Sequence, residues 1–306
     1  MTGATVFVTG GSGFLGSTLI PALISRGYQV RALARSAKSA AVTAELGAQP
    51  ITADLADVSA LTDAMTGCSH VLHCAARHRE GGSLAAHHRD NVAGTENTLA
   101  AAQAAGVLRF LMVGAAMSLL GGAPVENADE TWPLHEPRYS AYARTKTIAD
   151  RKVLAADREG FTTCVVRLGW IWGPGDPQSA SIVDAARIGR LRLIDGGRYP
   201  IVTSHIDNTV HGIGLALQRG APAQAYYMFD DGTIEIRDFL ARILAAHGNP
   251  APTKSIPRRA AWIAGSMMDR TWTTLRRPGQ PPVTDVRDSA SPTAAGERRP
   301  PSRWSQ

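Results

Sequence analysis

The run TGGSGFLG at residues 9–16 constrains the fold more than any other stretch. It lies between an apolar β-branched segment, ATVFVT at 4–9, and an apolar helical segment, FLGSTLIPALISRG at 14–27. Gly10, Gly13 and Gly16 have the spacing of a dinucleotide phosphate loop. Gly10 permits the tight turn, Gly13 lets a pyrophosphate approach the backbone, and Gly16 lets helix and strand pack closely. The helix start, with Phe14 and Leu15 in its first turn, then faces the phosphates. Three glycines alone are a weak sign. Between the first strand and first helix of an alternating pattern they are a strong one.

The alternation continues. Strands are expected at 28–34, 49–55, 70–76, 107–114 and 162–168, with helices at 39–47, 92–106 and 142–160, each ending at a glycine. Continuous apolar strands alternating with helices imply an α/β fold whose parallel sheet is covered on both faces. After residue 168 the rhythm breaks at the turn-rich WIWGPGDP. A helix at 181–190, a strand near 191–194 and a helix at 257–277 read as a smaller lobe. The expected division is a nucleotide-binding domain at 1–168, a smaller substrate lobe at 169–277 and a disordered basic tail at 278–306. The tail is rich in Pro, Ser, Arg and Gly, with little to bury.

Charge and cysteines narrow the class of function. Residues 276–306 hold six arginines against three acidic residues, which is half the net charge of +6. That is the pattern of a solvated tail, and no basic stripe with interleaved aromatics suggests a nucleic-acid partner. Cys68, Cys74 and Cys164 lack metal-ligand spacing and read as reduced thiols. His87 and His88 are adjacent and expected to be exposed. No metal is expected. The start, MTGATVFVTGG, has no secretory pattern, and no apolar run is long enough for a membrane span, so a cytoplasmic protein is expected.

The second strand ends RALARS. A carboxylate at its tip would hold both ribose hydroxyls of NAD; this chain has Ala34 there, then Arg35, with Lys38 close by. A cation in place of a carboxylate accommodates a 2′-phosphate, so NADP(H) is favoured, with NAD(H) the alternative if Arg35 is simply solvated. Asp54 and Leu55, after the third strand, are candidates to line the adenine. In YARTK, Tyr142 and Lys146 stand four residues apart, on one face of a helix. A lysine and an oxidised nicotinamide, both cationic, would stabilise the phenolate of such a tyrosine, allowing it to exchange a proton with a substrate oxygen.

These motifs, with HCAA, NVAGTENTL, RLGWIWGPGD and HIDN, make the chain resemble the extended short-chain dehydrogenase/reductases over residues 5 to about 250. The run from YARTK to WGPGD is most similar to their 3β-hydroxysteroid dehydrogenase/isomerase branch. The resemblance implies a Rossmann-type doubly wound sheet with a smaller C-terminal α/β lobe. It also implies a nicotinamide cofactor contacted by Ala75 and Ala76, and Tyr142 and Lys146 as acid/base and helper. It implies that Asn91, counted with the cofactor site, supports the active-site helix and Lys146 through a water. Interconversion of a secondary alcohol and a ketone on a small apolar, sterol-like substrate is the expected reaction. Nucleotide-sugar epimerases and dehydratases of the same superfamily carry Asn and Arg at the positions of Trp170 and Ile201. An indole and an aliphatic side chain supply no partner for a diphosphate, so that reading is disfavoured. Trp170 and Tyr139 are candidates to line the substrate site. His205 and Asp207 match a structural motif of the second lobe.

Two features depart from the resemblance. The hydroxyl expected five residues before Gly121 falls on Ala116 in VGAAMSLLG. Ser118, two residues on, is the candidate to swing back as the substrate's second partner; a bound water is the alternative, and so is a cofactor-binding protein with little catalysis. After PPVT the chain runs into the tail where relatives continue with ordered structure. The lobe is then truncated or closed by a partner, unless the tail is a shifted reading frame, and uncovered apolar surface favours a homodimer. The arginine-flanked 257–277 segment suits covering the substrate site better than weak contact with a membrane surface.

Overall fold

The computed structural model describes residues 3–78, 83–119, 125, 128–137, 140–261 and 263. The first part of the chain forms β1 (Thr5–Thr9), α1 (Phe14–Ser25), β2 (Gln29–Ala34), α2 (Ala37–Glu45), β3 (Gln49–Thr52), α3 (Val58–Met65) and β4 (His70–His73). Then come α4 (Leu84–His87), α5 (Gly94–Ala104), β5 (Arg109–Ala115), α6 (Ala141–Ala155) and β6 (Thr162–Leu168). The rest comprises β7 (Trp170–Trp172), α7 (Pro177–Arg187), β8 (Leu193–Ile194), β9 (Pro200–Ile201), β10 (Thr203–His205) and α8 (Ile206–Arg219). It closes with β11 (Gln224–Met228), β12 (Ile234–Glu235), α9 (Ile236–Ala246) and β13 (Ser255–Ile256).

Seven strands form one sheet in the order β11-β6-β5-β4-β1-β2-β3, every pair parallel. This is the expected doubly wound sheet, and its order reverses between β1 and β4, where ligands bind such folds. The period-2 pattern sends alternate residues to opposite faces. Val6 and Val8 of β1 pack with α1 and α8, whereas Phe7 packs with α3, α5 and α6. Both faces are buried, which is why these strands read as unbroken apolar runs.

The expected smaller lobe is divided. Its α8 and β11 return to the large sheet, where β11 pairs with β6 from Gln224 opposite Cys164 to Met228 opposite Leu168. Three two-stranded ribbons pair β10 with β7, β12 with β9 and β13 with β8, and residues of β7, β8, β9, β12, α7 and α9 form a separate apolar cluster around Phe239, Leu240 and Ile243. Several elements are shorter than expected. α6 ends at Ala155 rather than 160, because the chain reverses through the Arg158–Phe161 bridge. The helix expected at 92–106 begins at Leu84 and passes through a π-helical turn at His88–Ala93. His87, expected to be exposed, is buried at the start of that turn. Residues 258–261 are helical; residues 262 and 264–277, and the whole 278–306 tail, lie outside the described residues. Among the described residues no helix is long and apolar enough to cross a membrane.

Candidate active site

Gly10 adopts φ +74°, and a Cβ placed on it would lie 2.8 Å from the Ala75 amide nitrogen. The ends of β1 and β4 can approach only because residue 10 has no side chain. A Cβ on Gly16 would collide with the Gly11 carbonyl, so the helix starts against the loop. Gly13 is the N-cap of α1, without a side-chain cap, and the first turn holds no acidic residue. Unsatisfied helix N–H groups and a bare glycine cradle fit a pyrophosphate. Phe14 and Leu15, in the first turn of α1, are half-buried. Arg35 and Lys38 are exposed just beyond the buried Ala34, and Ser36 caps α2 between them. Asp54 is exposed and accepts a hydrogen bond from Ala56 N–H. Leu55 packs beside Gly94, and its carbonyl accepts from Asn97. The two form the rim on the β3 side. Ala76 is exposed on the other side of the crevice, with Ala75 partly buried.

A buried polar chain fixes the β1–β4 crevice. Ala75 N–H donates to Thr9 Oγ1 at 3.1 Å, which lies 2.8 Å from His73 Nδ1; His73 Nε2 lies 3.0 Å from Thr95 Oγ1. Thr95 spends its proton on the Asn91 carbonyl at 2.7 Å, so its oxygen accepts from His73 Nε2–H. The ring is therefore the Nε2–H tautomer. Burial and the nearby Lys146 charge press its pKa down to about 3, so the imidazole is neutral. The sequence gives HCAA as a motif; only the fold shows that its histidine is bonded on both sides.

Asn91 sits in the π-helical turn and is buried. Its Oδ1 accepts from Arg77 N–H at 2.6 Å, and its Nδ2 donates to the Arg77 carbonyl at 3.2 Å and to Thr145 Oγ1 at 3.1 Å. The expected support of α6 by Asn91 is thus a direct bond to Thr145. The same amide holds the backbone after Ala75 and Ala76. The extra residue of a π turn re-aims such a side chain, and no simple periodicity reveals it.

On α6, Lys146 is buried and its Nζ donates to the Val113 carbonyl at 2.6 Å. The β4–β5 ladder ends at Met112, so this is the first β5 carbonyl past the ladder. Burial pushes the Lys146 pKa down to about 8, against opposing pulls from Asp150 and Cys74. Asp150, one turn on, is buried and held by Arg167 of β6 through two bonds of 2.8 and 2.9 Å. This bidentate pair fixes α6 to the sheet. Sequence reading missed it, because neither residue belongs to a motif. Tyr142 is half-buried, and its ring meets the His78 ring edge-on, with centroids 4.8 Å apart.

Ser118 is differently placed from the expectation. It lies in a 3-10 turn at Ala116–Leu119, fully buried, and its Oγ donates to the Ala115 carbonyl at 2.7 Å. The backbone turns at Ala116, which carries the hydroxyl inward. Tyr139 lies outside the described residues. Trp170 packs edge-on against Phe239 at 5.6 Å, and its Nε1 is buried without a partner. Trp172 meets His205 and Phe239 and donates to Asp230 at 2.9 Å. Asp230, absent from the sequence reading, also accepts from Thr203, His205 N–H and Asn208. Burial opposes its charge, but these four donors hold its pKa below the usual carboxylate range. His205 is tied into this cluster by its backbone N–H and by its ring against Trp172. Among the described residues no group of three or more His, Cys, Asp or Glu could hold a metal.

Comparison with known proteins places this geometry in context. The sequence profile of the 3-beta hydroxysteroid dehydrogenase/isomerase family matches residues 7–258. The chain is similar to 4-hydroxy-2-methyl-3-oxo-4-farnesyl-3,4-dihydroquinoline-1-oxide ketoreductase of Stigmatella aurantiaca, 41% identical over 273 residues, covering 88% of this chain and 81% of that one. It is 36% identical to 2-alkyl-3-oxoalkanoate reductase of Stenotrophomonas maltophilia, covering 91% of this chain and 86% of the other. Among solved structures, the dTDP-glucose 4,6-dehydratase DesIV of Streptomyces venezuelae with NAD bound superposes with a TM-score of 0.70 at 22% identity, covering 83% of this chain and 84% of that one. At that identity the likeness is one of fold.

Proposed function

The chain belongs to the 3-beta hydroxysteroid dehydrogenase/isomerase family and is an NAD(P)-dependent oxidoreductase of the extended short-chain type, and we propose that Tyr142 and Lys146 are its working pair. The reaction is the interconversion of a secondary alcohol and a ketone on an apolar substrate. The observation that carries the assignment is Lys146, a lysine buried one helical turn from Tyr142 and held by the Val113 carbonyl at the end of the nucleotide crevice. Nothing but function or a strong partner keeps an ammonium there, because burial of a charge is costly.

When bound, the nicotinamide accepts or supplies the hydride. Tyr142 gives its hydroxyl proton to the carbonyl oxygen in reduction and takes it back in oxidation. Lys146 favours the phenolate by its charge and, with Asn91 and Thr145 steadying α6, holds the nicotinamide ribose. Gly10, Gly13, Phe14, Leu15 and Gly16 cradle the pyrophosphate. Asp54 and Leu55 line the adenine, and Ala75 and Ala76 the far wall. Arg35 would supply a cation to a 2′-phosphate, which favours NADP(H). Trp170 is the described residue assigned to the substrate site, and Tyr139 is assigned there from the sequence alone. The substrates in the relatives' names pair an oxo group with a farnesyl or alkyl chain, which supports a small, sterol-like or alkyl ketone. The nucleotide-sugar reading is weaker, since Trp170 and the buried Ile201 offer no cation to a diphosphate. Ser118 enters as a carbonyl partner only if its hydroxyl leaves Ala115.

The test is absorbance at the nicotinamide band with NADPH and a panel of ketosteroids and 3-oxo alkyl compounds. Turnover that disappears in Tyr142→Phe is expected. Absence of turnover across the panel, with tight NADPH binding, overturns the assignment.

A further inference from the structure

We propose that His78 supplies the hydrogen bond to the reacting substrate oxygen that a hydroxyl at position 116 would otherwise give. This rests on the functional reading above. Ala116 offers only a methyl group, and the nearby Ser118 hydroxyl is fully buried on the Ala115 carbonyl. The Ser118 carbonyl is occupied by His135 N–H at 2.9 Å, so the turn has a bonded reason to stay as it is. Neither Ala116 nor Ser118 therefore offers a free hydroxyl donor from the end of β5.

A histidine stands beside Tyr142. The His78 ring stands edge-on to the Tyr142 ring at 4.8 Å between centroids, and the residue is exposed rather than packed into the core. The ring contact puts the imidazole beside the tyrosine whose hydroxyl would bind the substrate oxygen. An imidazole has two nitrogens, so one can serve the substrate while the other bonds elsewhere. The backbone just before His78 is held in place. Asn91 grips both backbone groups of Arg77, next to His78, and donates to Thr145 on the helix of Tyr142. Arg77 is further tied to Asp90 at 2.6 Å. One amide thus sets the distance between the segment of His78 and the helix of Tyr142, and a preorganised donor is what an oxygen gaining charge in the transition state requires.

The experiment is a double-mutant cycle on ketone reduction by NADPH, using His78→Ala, Ala116→Ser and the pair. His78→Ala is expected to lower kcat by about tenfold or more, in the range seen for loss of one such donor. The KM for NADPH and the melting temperature should stay put. Ala116→Ser should restore most of that loss in the His78→Ala background while changing the wild-type chain little. A kcat within twofold of wild type in His78→Ala overturns the inference, as does an equal effect of Ala116→Ser in both backgrounds. The dissociation constant of a ketone for the NADP-bound protein, from fluorescence, gives a readout apart from turnover and should weaken in His78→Ala. A wild-type chain that turns over no ketone removes the functional reading and this inference with it; an active wild type with an indifferent His78→Ala removes the inference alone.

Discussion

Lys146 links stability to pH in a way that can be worked through. Its pKa is pushed from the ordinary 10.5 to about 8 by burial. Between those values the unfolded chain keeps the lysine proton and the folded chain has released it. The unfolded state binds more protons there, so this group makes stability rise with pH from about 8 to 10.5. Below about 8 the folded protein carries the full cost of a buried ammonium. The difference in pKa corresponds to about 3 kcal/mol. Lys146→Met keeps the length and apolar stem and removes the charge. The stability of wild type minus that of Lys146→Met should therefore climb by about 3 kcal/mol between pH 7 and 10.5. Burial raises the thiols of Cys74 and Cys164 and the phenols of Tyr199 and Tyr227 to about 12, which weakens both chains at high pH. The Cys164, Tyr199 and Tyr227 parts of that background cancel in the difference, whereas Cys74 feels the Lys146 charge and is read separately in a Cys74→Ala background. The assay is urea unfolding of the cofactor-free proteins at several pH values, followed by tryptophan fluorescence. A difference that stays constant within about 0.5 kcal/mol refutes the reasoning: Lys146 is then not held as a destabilised cation.

Asp150→Asn leaves the buried Arg167 guanidinium without its carboxylate and should cost about 3–5 kcal/mol in a denaturant melt, whereas Glu96→Gln, at the exposed Lys152 pair, should cost under about 1 kcal/mol. Gly10→Ala meets the Ala75 backbone at 2.8 Å in a left-handed conformation, so NADPH affinity by calorimetry should fall at least tenfold. Arg35→Glu should weaken NADPH far more than NADH in kcat/KM, reversing the preference; an equal effect on both cofactors argues that Arg35 is merely solvated. His73→Phe removes the ring that joins Thr9 to Thr95 and leaves the buried Thr9 hydroxyl proton without its acceptor, while Thr95 keeps its bond to the Asn91 carbonyl, so a denaturant melt should show a loss of about 1–3 kcal/mol.

What the sequence alone determined was local in origin. The glycine spacing of the phosphate loop, the unbroken apolar strands and the four-residue step from Tyr142 to Lys146 each follow from backbone geometry within a short window. They suffice for a parallel sheet, a nucleotide crevice and a working face on α6. The sequence also carried the missing hydroxyl at Ala116, because a methyl group is visible without coordinates.

Other features depend on residues far apart in the chain, and only the tertiary structure decided them. β11 lies against β6 although the chain leaves the sheet for the ribbons of the second lobe in between. Asn91 reaches Arg77 and Thr145 through a π turn, a defect that leaves no mark in an ordinary helical pattern. Ser118 is two residues from the expected position, yet the backbone turns at Ala116, so strand periodicity no longer says which way a side chain points. The buried partners of Lys146, Asp150 and His73 come from separate strands and helices. A buried charge is tolerated only where the whole fold delivers its partner, and that pairing is a property of three dimensions.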